Sequence, residues 1–365
     1  MSRGVAILGC GIGAKHLEGY LALPERFSVQ VLCDRDVARA RALAAEAGLE
    51  GGHITAEVEE AIADPRVDLV DVCLPPMLHV PTALAALAAG RDVILEKPIA
   101  PSLAEADRLA EAAAASARKV FPVFQYRFGR GLARLAALQA AGLAGTPLVA
   151  TLETHWNRDA DYYAIPWRGR WATELGGAIL SHAIHSHDLI ARAFGPVRAV
   201  SAMLDTRANP IETEDCAALI FETASGGLVT SSVTLGAADD SSRLRLVFDG
   251  LTVESDRIPY APGEGAWQFR ARPAARQAEV DAALAAASDD GPQGFAGFLA
   301  AVADALDGRP GREVSLAEGV ASIELVSAIY HAARTGARVT LPLDRALPTC
   351  RGWLPGTVEA PDPKG

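Results

Sequence analysis

The stretch that decides the fold is residues 5–34, VAILGCGIGAKHLEGYLALPERFSVQVLCD. A short apolar run ends in the turn GCGIGA, and a second apolar run ends on Asp34. This order predicts a strand, a tight glycine turn, a helix and a second strand that ends on a carboxylate. Gly9 allows the sharp turn, Gly11 lets the backbone approach a pyrophosphate, and the small Ala14 lets helix and strand pack closely. The sequence therefore predicts a dinucleotide-binding unit at the start of the chain.

The turn and the carboxylate also indicate which dinucleotide binds. The helix N-terminus offers unpaired N–H groups and the positive end of its dipole to the phosphates. Asp34 follows Ala14 by twenty residues, so we expect it to accept hydrogen bonds from the ribose diol and to repel a 2′-phosphate, which favours NAD. NADP is the alternative, because the neighbouring Arg35 could accept that phosphate. A glycine turn in an α/β fold without a ligand is the competing interpretation. The predicted cofactor contacts here are Gly9, Gly11, Ile12, Gly13, Asp34 and Arg35.

Length, charge and composition narrow the class of protein. The chain has 365 residues, half of them hydrophobic, which is enough for two domains with separate cores. The net charge of −11 argues against nucleic acid or an anionic membrane as a partner. The first predicted strand begins directly after Met1-Ser2-Arg3-Gly4, and apolar runs are short and broken by charges. We therefore expect a cytoplasmic protein with neither a signal peptide nor a membrane span.

The five cysteines show neither a disulfide pattern nor metal-ligand spacing. Their number is odd, three lie in or beside predicted buried strands, and none forms a C-x-x-C pair. We therefore interpret them as small core residues in a reducing cytoplasm and expect no structural zinc site. They are Cys10, Cys33, Cys73, Cys216 and Cys350.

Two patterns of predicted elements divide the chain. Up to about residue 124, six apolar strands alternate with helices, which predicts parallel strands with helical crossovers. Later segments are short, partly alternating and separated by Gly, Asp, Asn and Ser, which favours an antiparallel sheet. We predict an α/β fold with a doubly wound parallel sheet over residues 1–124. An α+β domain follows over residues 125–345, and a tail over residues 346–365.

The first candidate for chemistry is Lys97, in Glu96-Lys97-Pro98 directly after the predicted strand 93–95. Ligands of open α/β sheets bind beyond the carboxyl ends of the strands, so we expect Lys97 to point toward the nicotinamide end of a cofactor. A lysine ammonium there stabilises negative charge that develops on a substrate oxygen. The alternative is a solvated Glu-Lys pair at a strand end, which the spacing alone favours.

The second candidate is residues 176–188, GGAILSHAIHSHD. On a helix, Ser181, His185 and Asp188 fall at i, i+4 and i+7 and share one face. His185 would then be a proton acceptor, or it would be a core histidine with satisfied hydrogen bonds. A metal site is not expected, because His187 lies about 200° around the helix from His185.

Aromatic and arginine side chains crowd residues 155–171, a segment rich in loop signals. Trp and Tyr faces suit the C–H surface of a sugar ring, and Arg side chains suit its hydroxyl groups. Packing at a domain or subunit interface explains the segment equally well. Arg127, in Gln125-Tyr126-Arg127, either reaches the substrate or ties the two domains together. The candidate substrate contacts are Lys97, Arg127, Trp156, Arg158, Tyr163, Trp167, Arg168, His182 and His185.

Taken together, these motifs resemble the Gfo/Idh/MocA oxidoreductase family, named for glucose–fructose oxidoreductase and inositol dehydrogenase. The resemblance covers nearly the whole chain and rests on the order and spacing of several short motifs. They are GCGIGA at residues 9–14, Leu74-Pro75-Pro76 with His79, Glu96-Lys97-Pro98, Gln125-Tyr126-Arg127, Gly176-Gly177 with His185 and Asp188, and the ending at residues 341–355.

The resemblance implies a Rossmann domain followed by an α+β domain on a large open, mainly antiparallel sheet, which commonly packs subunits into dimers or tetramers. It also implies NAD(P)-dependent oxidation of a sugar or polyol hydroxyl, or the reverse reduction. Lys97 matches the family's lysine and His185 the histidine near the nicotinamide. Further cofactor contacts implied by the matching motifs are Leu74, Pro75, His79, Glu96, Lys97 and Gln125.

One departure from the family pattern concerns the acid/base group. Many inositol dehydrogenase-like members carry Asp four residues before the histidine, where this chain has Ser181, and a hydroxyl cannot hold a negative charge at neutral pH. Proton transfer then rests on His185 with Lys97, or on His182; Ser181 completes the candidate catalytic set. Two other functions stay open. One is a glycosidase of the same family that keeps NAD bound and regenerates it, and the other is a non-catalytic regulator that binds NAD or a sugar.

Overall fold

A computed structural model describes residues 2–49, 51–287 and 291–355. The chain forms two compact units. The first runs to Phe124 and includes Phe295–Ile323, and the second comprises Gln125–Gly294 and the described chain from Glu324. The predicted tail, residues 346–365, is described only as far as residue 355, and its remainder lies outside the described residues.

The sequence predicted one continuous second domain over residues 125–345. The structure corrects this boundary, because Phe295–Ile323 belong to the first unit. The physical reason is local packing on the helix that follows the glycine turn. The ring of Phe295 lies 4.5 Å from that of His16, and the Leu299 side chain packs at Gly19, where a Cβ would come within 2.9 Å of it.

The first unit alternates strands and helices in the order β1 (Arg3–Leu8), α1 (Gly13–Leu21), β2 (Phe27–Cys33), α2 (Val37–Glu46), β3 (His53–Thr55), α3 (Val58–Ala63), β4 (Leu69–Val72), α4 (His79–Ala88), β5 (Asp92–Leu95), α5 (Leu103–Ser116) and β6 (Val120–Pro122). All six strands pair in parallel, in the spatial order β3-β2-β1-β4-β5-β6. The strand order reverses between β1 and β4, which is the switch point beyond which doubly wound sheets bind ligands. The predicted doubly wound parallel sheet is confirmed.

The second unit is built mainly on strands. Its elements are α6 (Arg130–Ala140), β7 (Pro147–Asn157), α7 (Ala160–Tyr163), α8 (Trp171–Glu174), α9 (Ile184–Phe194), β8 (Val197–Asp205), β9 (Cys216–Thr223), β10 (Leu228–Thr234), β11 (Gly236–Phe248), β12 (Leu251–Glu254), β13 (Gln268–Ala271), α10 (Gln277–Ala286) and β14 (Val339–Thr340). The eight strands form one sheet in the order β13-β12-β11-β7-β10-β9-β8-β14. Among the described strands of this second sheet, only β7 and β10 pair in parallel, so the predicted mainly antiparallel sheet is confirmed.

The two faces of this sheet differ in burial. Helix α9 covers one face, where Thr154 Oγ1 lies 3.1 Å from Ser186 Oγ and the His187 ring meets Phe221 edge-on. Side chains alternate along each strand, so residues between the buried ones face the other way. That opposite face carries large exposed apolar side chains, among them Val149, Met203 (76 % exposed), Ile220 (58 %) and Leu228 (54 %).

Two long helices, α11 (Gly294–Leu306) and α12 (Leu316–Thr335), complete the described fold. Among the described residues, no helix combines the length and the apolar character needed to cross a bilayer.

All five cysteines are free thiols in the described structure. Burial raises the pKa of Cys10 to about 12 and that of Cys33 to about 11. These thiols therefore stay protonated at neutral pH and behave as small core residues.

Candidate active site

The turn between β1 and α1 has the geometry of a phosphate-binding turn. Gly9 has φ +98°, and a Cβ there would lie 2.5 Å from the carbonyl oxygen of Cys73. A Cβ on Gly13 would lie 2.8 Å from Cγ2 of Ile7, so Gly13 is the residue that lets helix and strand pack closely. The sequence analysis gave that role to the next residue, Ala14, which stays a prediction.

Gly11 leaves space beside this turn. Apart from its two chain neighbours, no described residue places a heavy atom within 4 Å of the position that a Cβ on Gly11 would take. Ile12, at the N-cap of α1, is exposed and brings no side chain that caps the helix. The glycine that permits close approach and the uncapped helix N-terminus fit the pyrophosphate of a dinucleotide.

Asp34 connects the end of β2 to this turn. Its carboxylate accepts hydrogen bonds from the backbone N–H groups of Cys10 and Asp36, both at 2.8 Å. Each carboxylate oxygen can accept more than one hydrogen bond, so capacity remains for the ribose hydroxyls. Arg39 Nη1 lies 3.7 Å from Asp34 Oδ2, whereas no ion pair joins Arg35 to Asp34 in the described structure. Arg39 was not predicted from the sequence, although the N-cap Asp36 places it in the first turn of α2.

His79 joins the loops that follow β4 and β5. Its Nε2 lies 2.7 Å from the carbonyl oxygen of Leu74, and its Nδ1 lies 2.7 Å from that of Pro98. Burial lowers the pKa of this imidazole, although the two carbonyl groups oppose that change. The family resemblance implied a cofactor contact for His79. Both ring nitrogens lie within hydrogen-bond distance of backbone carbonyl groups, and the neutral imidazole donates to one of them at a time, so His79 links the two loops, while its contact with a cofactor stays a prediction.

Glu96 and Lys97 follow β5 directly. Glu96 is buried, and its Oε2 accepts a hydrogen bond of 3.0 Å from the backbone N–H of Lys97. Behind Glu96 lie His16 and Asp71, two buried polar residues that were not predicted from the sequence. The signal was present, because Asp71 is a charged residue within an otherwise apolar strand.

In the second unit, Gly176 and Gly177 lead into the segment that carries the candidate histidines. A Cβ on Gly177 would overlap the backbone carbonyl oxygen of Glu214, and a Cβ on Gly176 would lie 2.6 Å from the Tyr330 hydroxyl. The Glu214 carboxyl group accepts hydrogen bonds of 3.1 Å from the N–H groups of Gly177 and Ile179 and one of 2.9 Å from Tyr330. Burial raises the pKa of Glu214 to about 7, against the effect of these donors. The two glycines are therefore required by the close approach of Glu214 and Tyr330.

The segment itself is not the regular helix that the sequence predicted. Ile179–Ala183 form a single π-helical turn, and α9 begins directly after it. The wider turn changes the angular spacing between Ser181 and His185, so the spacing of a regular helix does not apply to this pair, and a shared face for the two side chains stays a prediction. Single π turns occur frequently at functional sites.

His185 is buried and stacks on Tyr126, with ring centroids 4.3 Å apart and planes 25° apart. One turn later, Asp188 accepts two hydrogen bonds from the guanidinium of Arg127, at 2.6 and 2.7 Å. The motif that begins at Gln125 therefore lies against α9. Within the second unit, Arg127 ties this turn to the histidine-bearing helix.

Ser181 has a carboxylate partner. Its Oγ donates a hydrogen bond of 3.0 Å to Glu174 Oε1, and Glu174 is buried and also accepts from the N–H of Gly169. Glu174 lies two residues before Gly176, within the motif region, but it was not among the residues predicted from the sequence. A buried carboxyl group thus contacts the Ser181 hydroxyl.

The remaining candidate histidines have separate partners. His182 Nε2 lies 3.2 Å from the Tyr162 hydroxyl and 3.4 Å from Arg158 Nε. His187 Nε2 lies 3.1 Å from Ser231 Oγ, and burial lowers its pKa to about 3. The imidazole rings of His182 and His187 therefore contact different residues.

Aromatic and arginine side chains of residues 155–171 pack against one another. Arg158 pairs with Asp240 at 3.1 Å, donates to Tyr260 at 2.9 Å and lies over the buried ring of Trp156. These contacts favour the packing interpretation for Trp156 and Arg158. Tyr163, Trp167 and Arg168 are partly exposed, and the Arg168 guanidinium lies over the rings of Tyr162 and Trp167 at 3.9 and 4.4 Å.

Two protein-family models match this chain. The model described as "Oxidoreductase family, NAD-binding Rossmann fold" matches residues 3–124, and the model described as "GFO/IDH/MocA C-terminal domain" matches residues 132–253. The chain belongs to the Gfo/Idh/MocA oxidoreductase family. Its first unit is thus an NAD-binding Rossmann domain, as the glycine turn and Asp34 predict.

Curated relatives of this Gfo/Idh/MocA protein include dehydrogenases. The inositol 2-dehydrogenase of Streptomyces avermitilis is 30 % identical over 241 residues, which cover 64 % of this chain and 66 % of that protein. An uncharacterised oxidoreductase of Synechocystis is 29 % identical over 234 residues, which cover 58 % of this chain and 60 % of the relative. The chain spans about three fifths of the length of the curated relatives it matches.

Solved structures agree over more of the Gfo/Idh/MocA chain. The WlbA dehydrogenase from Bordetella pertussis, in complex with NADH and UDP-GlcNAcA, has a TM-score of 0.80 and 26 % identity, covering 94 % of this chain and 100 % of that one. An aldose-aldose oxidoreductase from Caulobacter crescentus, complexed with glycerol, has a TM-score of 0.79 and 22 % identity over 93 % of this chain and 100 % of that one, and supports the fold alone.

Proposed function

We propose that this protein is an NAD-dependent dehydrogenase that moves hydride between the nicotinamide and a hydroxyl-bearing carbon of a sugar or polyol. The observation that carries the proposal is the carboxyl edge of the parallel sheet. The open glycine turn, Asp34 and Lys97 follow the ends of β1, β2 and β5 there, and doubly wound sheets bind their ligands beyond that edge. The inositol 2-dehydrogenase relative and the WlbA neighbour support a carbohydrate substrate.

Lys97 and His185 have the chemistry that alcohol oxidation requires. The reaction takes a hydride from carbon and a proton from oxygen, and bound NAD would supply the hydride acceptor. We assign to Lys97 the stabilisation of negative charge on the substrate oxygen, and to His185 the acceptance of the proton. The stacking of His185 on Tyr126 supports this role, because a general base acts best in a fixed orientation.

His182 and Ser181 are the alternative acid/base groups. His182 contacts the Tyr162 hydroxyl through Nε2, and Ser181 is hydrogen-bonded to the buried Glu174 carboxylate. For the substrate we propose contacts from Tyr163, Trp167 and Arg168, whose partial exposure supports that use better than the packed Trp156 does.

The open face of the second sheet supports a homo-oligomer, a dimer or a tetramer. Met203, Ile220 and Leu228 lie on that face and remain more than half exposed in the single chain. Large exposed apolar patches on soluble proteins mark interaction sites. We therefore propose that copies of this chain pair through the open face.

The proposal is tested by incubating the protein with NAD and a panel of polyols, aldoses, nucleotide-sugar acids and glycosides, while NADH and released aglycone are followed together. We expect NADH to form with at least one hydroxyl compound. Aglycone release without net NADH would favour the NAD-dependent glycosidase instead. Binding of NAD and sugar without turnover would favour the regulator.

Replacement Lys97→Ala tests the assigned chemistry. We expect kcat to fall about 10³-fold while the Kd of NAD changes little, because the ammonium acts on the substrate oxygen. Lys119→Ala is the matched control, since Lys119 directly precedes β6 rather than following its carboxyl end, and its Nζ donates to the backbone carbonyl oxygen of Ala305. Turnover by Lys97→Ala at the rate of the control would contradict the role of Lys97.

A further inference from the structure

The helix that follows the glycine turn carries a buried ionic cluster that none of the assigned roles uses. We call it the His16 cluster, and it consists of His16, Tyr20, Asp71, Cys73 and Glu96, all of them buried. His16 Nδ1 lies 2.8 Å from Asp71 Oδ2, and His16 Nε2 lies 3.1 Å from Glu96 Oε1. The cluster therefore joins α1, the middle of β4 and the residue that follows β5.

The geometry around His16 favours the protonated imidazole. Each ring nitrogen faces a carboxylate oxygen, and both nitrogens can donate only when the imidazole is protonated. Burial alone would lower the pKa of His16, but the charge and hydrogen bond of Asp71 raise it well above its usual value. The Tyr20 hydroxyl donates to the same Asp71 oxygen at 2.8 Å, and the Cys73 thiol lies 3.4 Å from the other one. On its remaining side His16 meets the ring of Phe295.

This arrangement does not suit a metal ion. The donor atoms of His16, Asp71 and Cys73 lie close enough together to surround one. A metal would have to displace the proton between His16 Nδ1 and Asp71 and also ionise the Cys73 thiol, whose pKa is raised by burial and by the charge of Asp71. The cluster is thus an ion pair with a second carboxylate.

The second carboxylate leads to Lys97. Glu96 uses Oε1 for His16 and Oε2 for the backbone N–H of Lys97, at 3.0 Å. The next residue, Pro98, is held through its carbonyl oxygen by His79 at 2.7 Å. The backbone around Lys97 is therefore fixed at two points: the N–H of Lys97 is bound by Glu96, and the carbonyl oxygen of Pro98 is bound by His79.

We propose that His16 is a positioning residue for Lys97: it fixes the Glu96 carboxylate, which in turn fixes the Lys97 backbone and the direction of the ammonium. The inference rests on the proposed role of Lys97 in the dehydrogenase. Stability alone does not explain the cluster, because buried ion pairs are often no more stabilising than apolar residues of similar volume. A fixed side chain at the reacting centre does explain it, since a small misplacement of a reacting group slows catalysis strongly.

The test compares His16→Gln, which removes the charge, with the matched control His53→Gln, at a histidine of β3 outside the cluster. We expect His16→Gln to lower kcat about 10²-fold with the KM for NAD within about twofold of the wild type. In the Lys97→Ala background the same change should cost less than about threefold, because His16 acts through Lys97. An equal loss in both backgrounds, or a loss no greater than that of His53→Gln, would overturn the inference.

Two further measurements separate this inference from the proposed function. Nitrogen NMR of the wild-type imidazoles should show His16 protonated on both nitrogens at pH 8. The rate of acylation of Lys97, read by mass spectrometry, should change in His16→Gln and stay constant in His53→Gln. A singly protonated His16, or an unchanged acylation rate, would overturn the inference.

Both measurements can be made even when the wild type shows no dehydrogenase activity, a result that by itself would reject only the proposed function. Should His16→Gln not fold, Glu96→Gln replaces it, with the same expected changes in kcat and acylation and the same refuting results.

Discussion

Two glycine-rich helix starts in this protein resemble each other in sequence and differ in what fills them. At the start of α1, the space beside Gly11 is open among the described residues. At Gly176 and Gly177, the backbone N–H groups of Gly177 and Ile179 donate to the buried carboxyl group of Glu214. Glycines at the start of a helix create a site for an anion in both places. The first helix start leaves that site to a ligand, and the second fills it with a side chain of the same chain.

Glycine spacing alone therefore does not identify a phosphate site. What separates the two helix starts is a residue distant in sequence, Glu214, which is supplied by the loop before β9. The start of α1 has Asp34 nearby, but its carboxylate contacts the N–H groups of Cys10 and Asp36 rather than those in the first turn of α1. Substitutions at Gly177 should therefore lower stability, whereas substitutions at Gly11 should weaken cofactor binding.

Gly177→Ala should have the largest effect, and it should act on stability. The added Cβ would overlap the backbone of Glu214, so we expect a loss of about 3 kcal/mol in the free energy of unfolding. Gly11→Ala is the control, with an expected change within about 0.5 kcal/mol. Urea unfolding measures the free energy of unfolding of both variants. Similar decreases in the two would contradict the proposed difference between the helix starts.

Glu214→Gln should change the pH dependence of stability. Because burial raises the pKa of Glu214 from its usual value to about 7, the folded state holds a proton that the unfolded state releases. The free energy of unfolding of the wild type should then fall as the pH rises from about 4.5 to 7, by up to about 3 kcal/mol from this group. The variant lacks this contribution. Unfolding curves recorded across that range should diverge with pH, and parallel curves would exclude Glu214 as the cause.

Gly11→Val should act on cofactor binding instead. Its side chain would occupy the open space beside the turn, so we expect the Kd of NAD to rise about 30-fold, or about 2 kcal/mol. The melting temperature should stay near that of the wild type, since no described residue beyond the two chain neighbours lies within 4 Å of the Cβ position. Calorimetric titration with NAD measures the effect, and unimpaired binding would show that the pyrophosphate lies elsewhere.

Asp34→Ser should have the smallest effect and tests the choice of cofactor. Without the carboxylate, the repulsion of a 2′-phosphate disappears and Arg39 gains freedom to contact it. We expect the ratio of kcat/KM for NAD to that for NADP to fall about tenfold, or about 1.4 kcal/mol. The double variant with Arg39→Ala should recover part of that ratio. A ratio unchanged in Asp34→Ser would assign the preference to another residue.

Local patterns predicted the first unit well. The glycine turn, the terminal Asp34 and the alternation of strands with helices are short-range signals, and they led to the parallel sheet and to the NAD-binding domain. The antiparallel character of the second sheet was also readable, because alternation along a strand depends on adjacent residues.

Contacts between distant residues could not be read from the sequence in the same way. Glu214 is hydrogen-bonded to both Gly177 and Tyr330, and Glu174 is hydrogen-bonded to Ser181. No local sequence pattern predicts these pairs. The π turn at Ile179–Ala183 depends on packing rather than on propensity, so a regular helix was the natural expectation. Asp71 was the exception, since a lone charge in an apolar strand could have pointed to His16.

The place of helix α11 in the first unit has a consequence for protein engineering. A fragment that stops at Phe124 would leave behind the aromatic lid over His16 and the leucine that packs at Gly19. A minimal cofactor-binding module therefore has to splice the segment Phe295–Ile323 back onto the amino-terminal portion, for which a circular permutation or a short designed linker is the practical route.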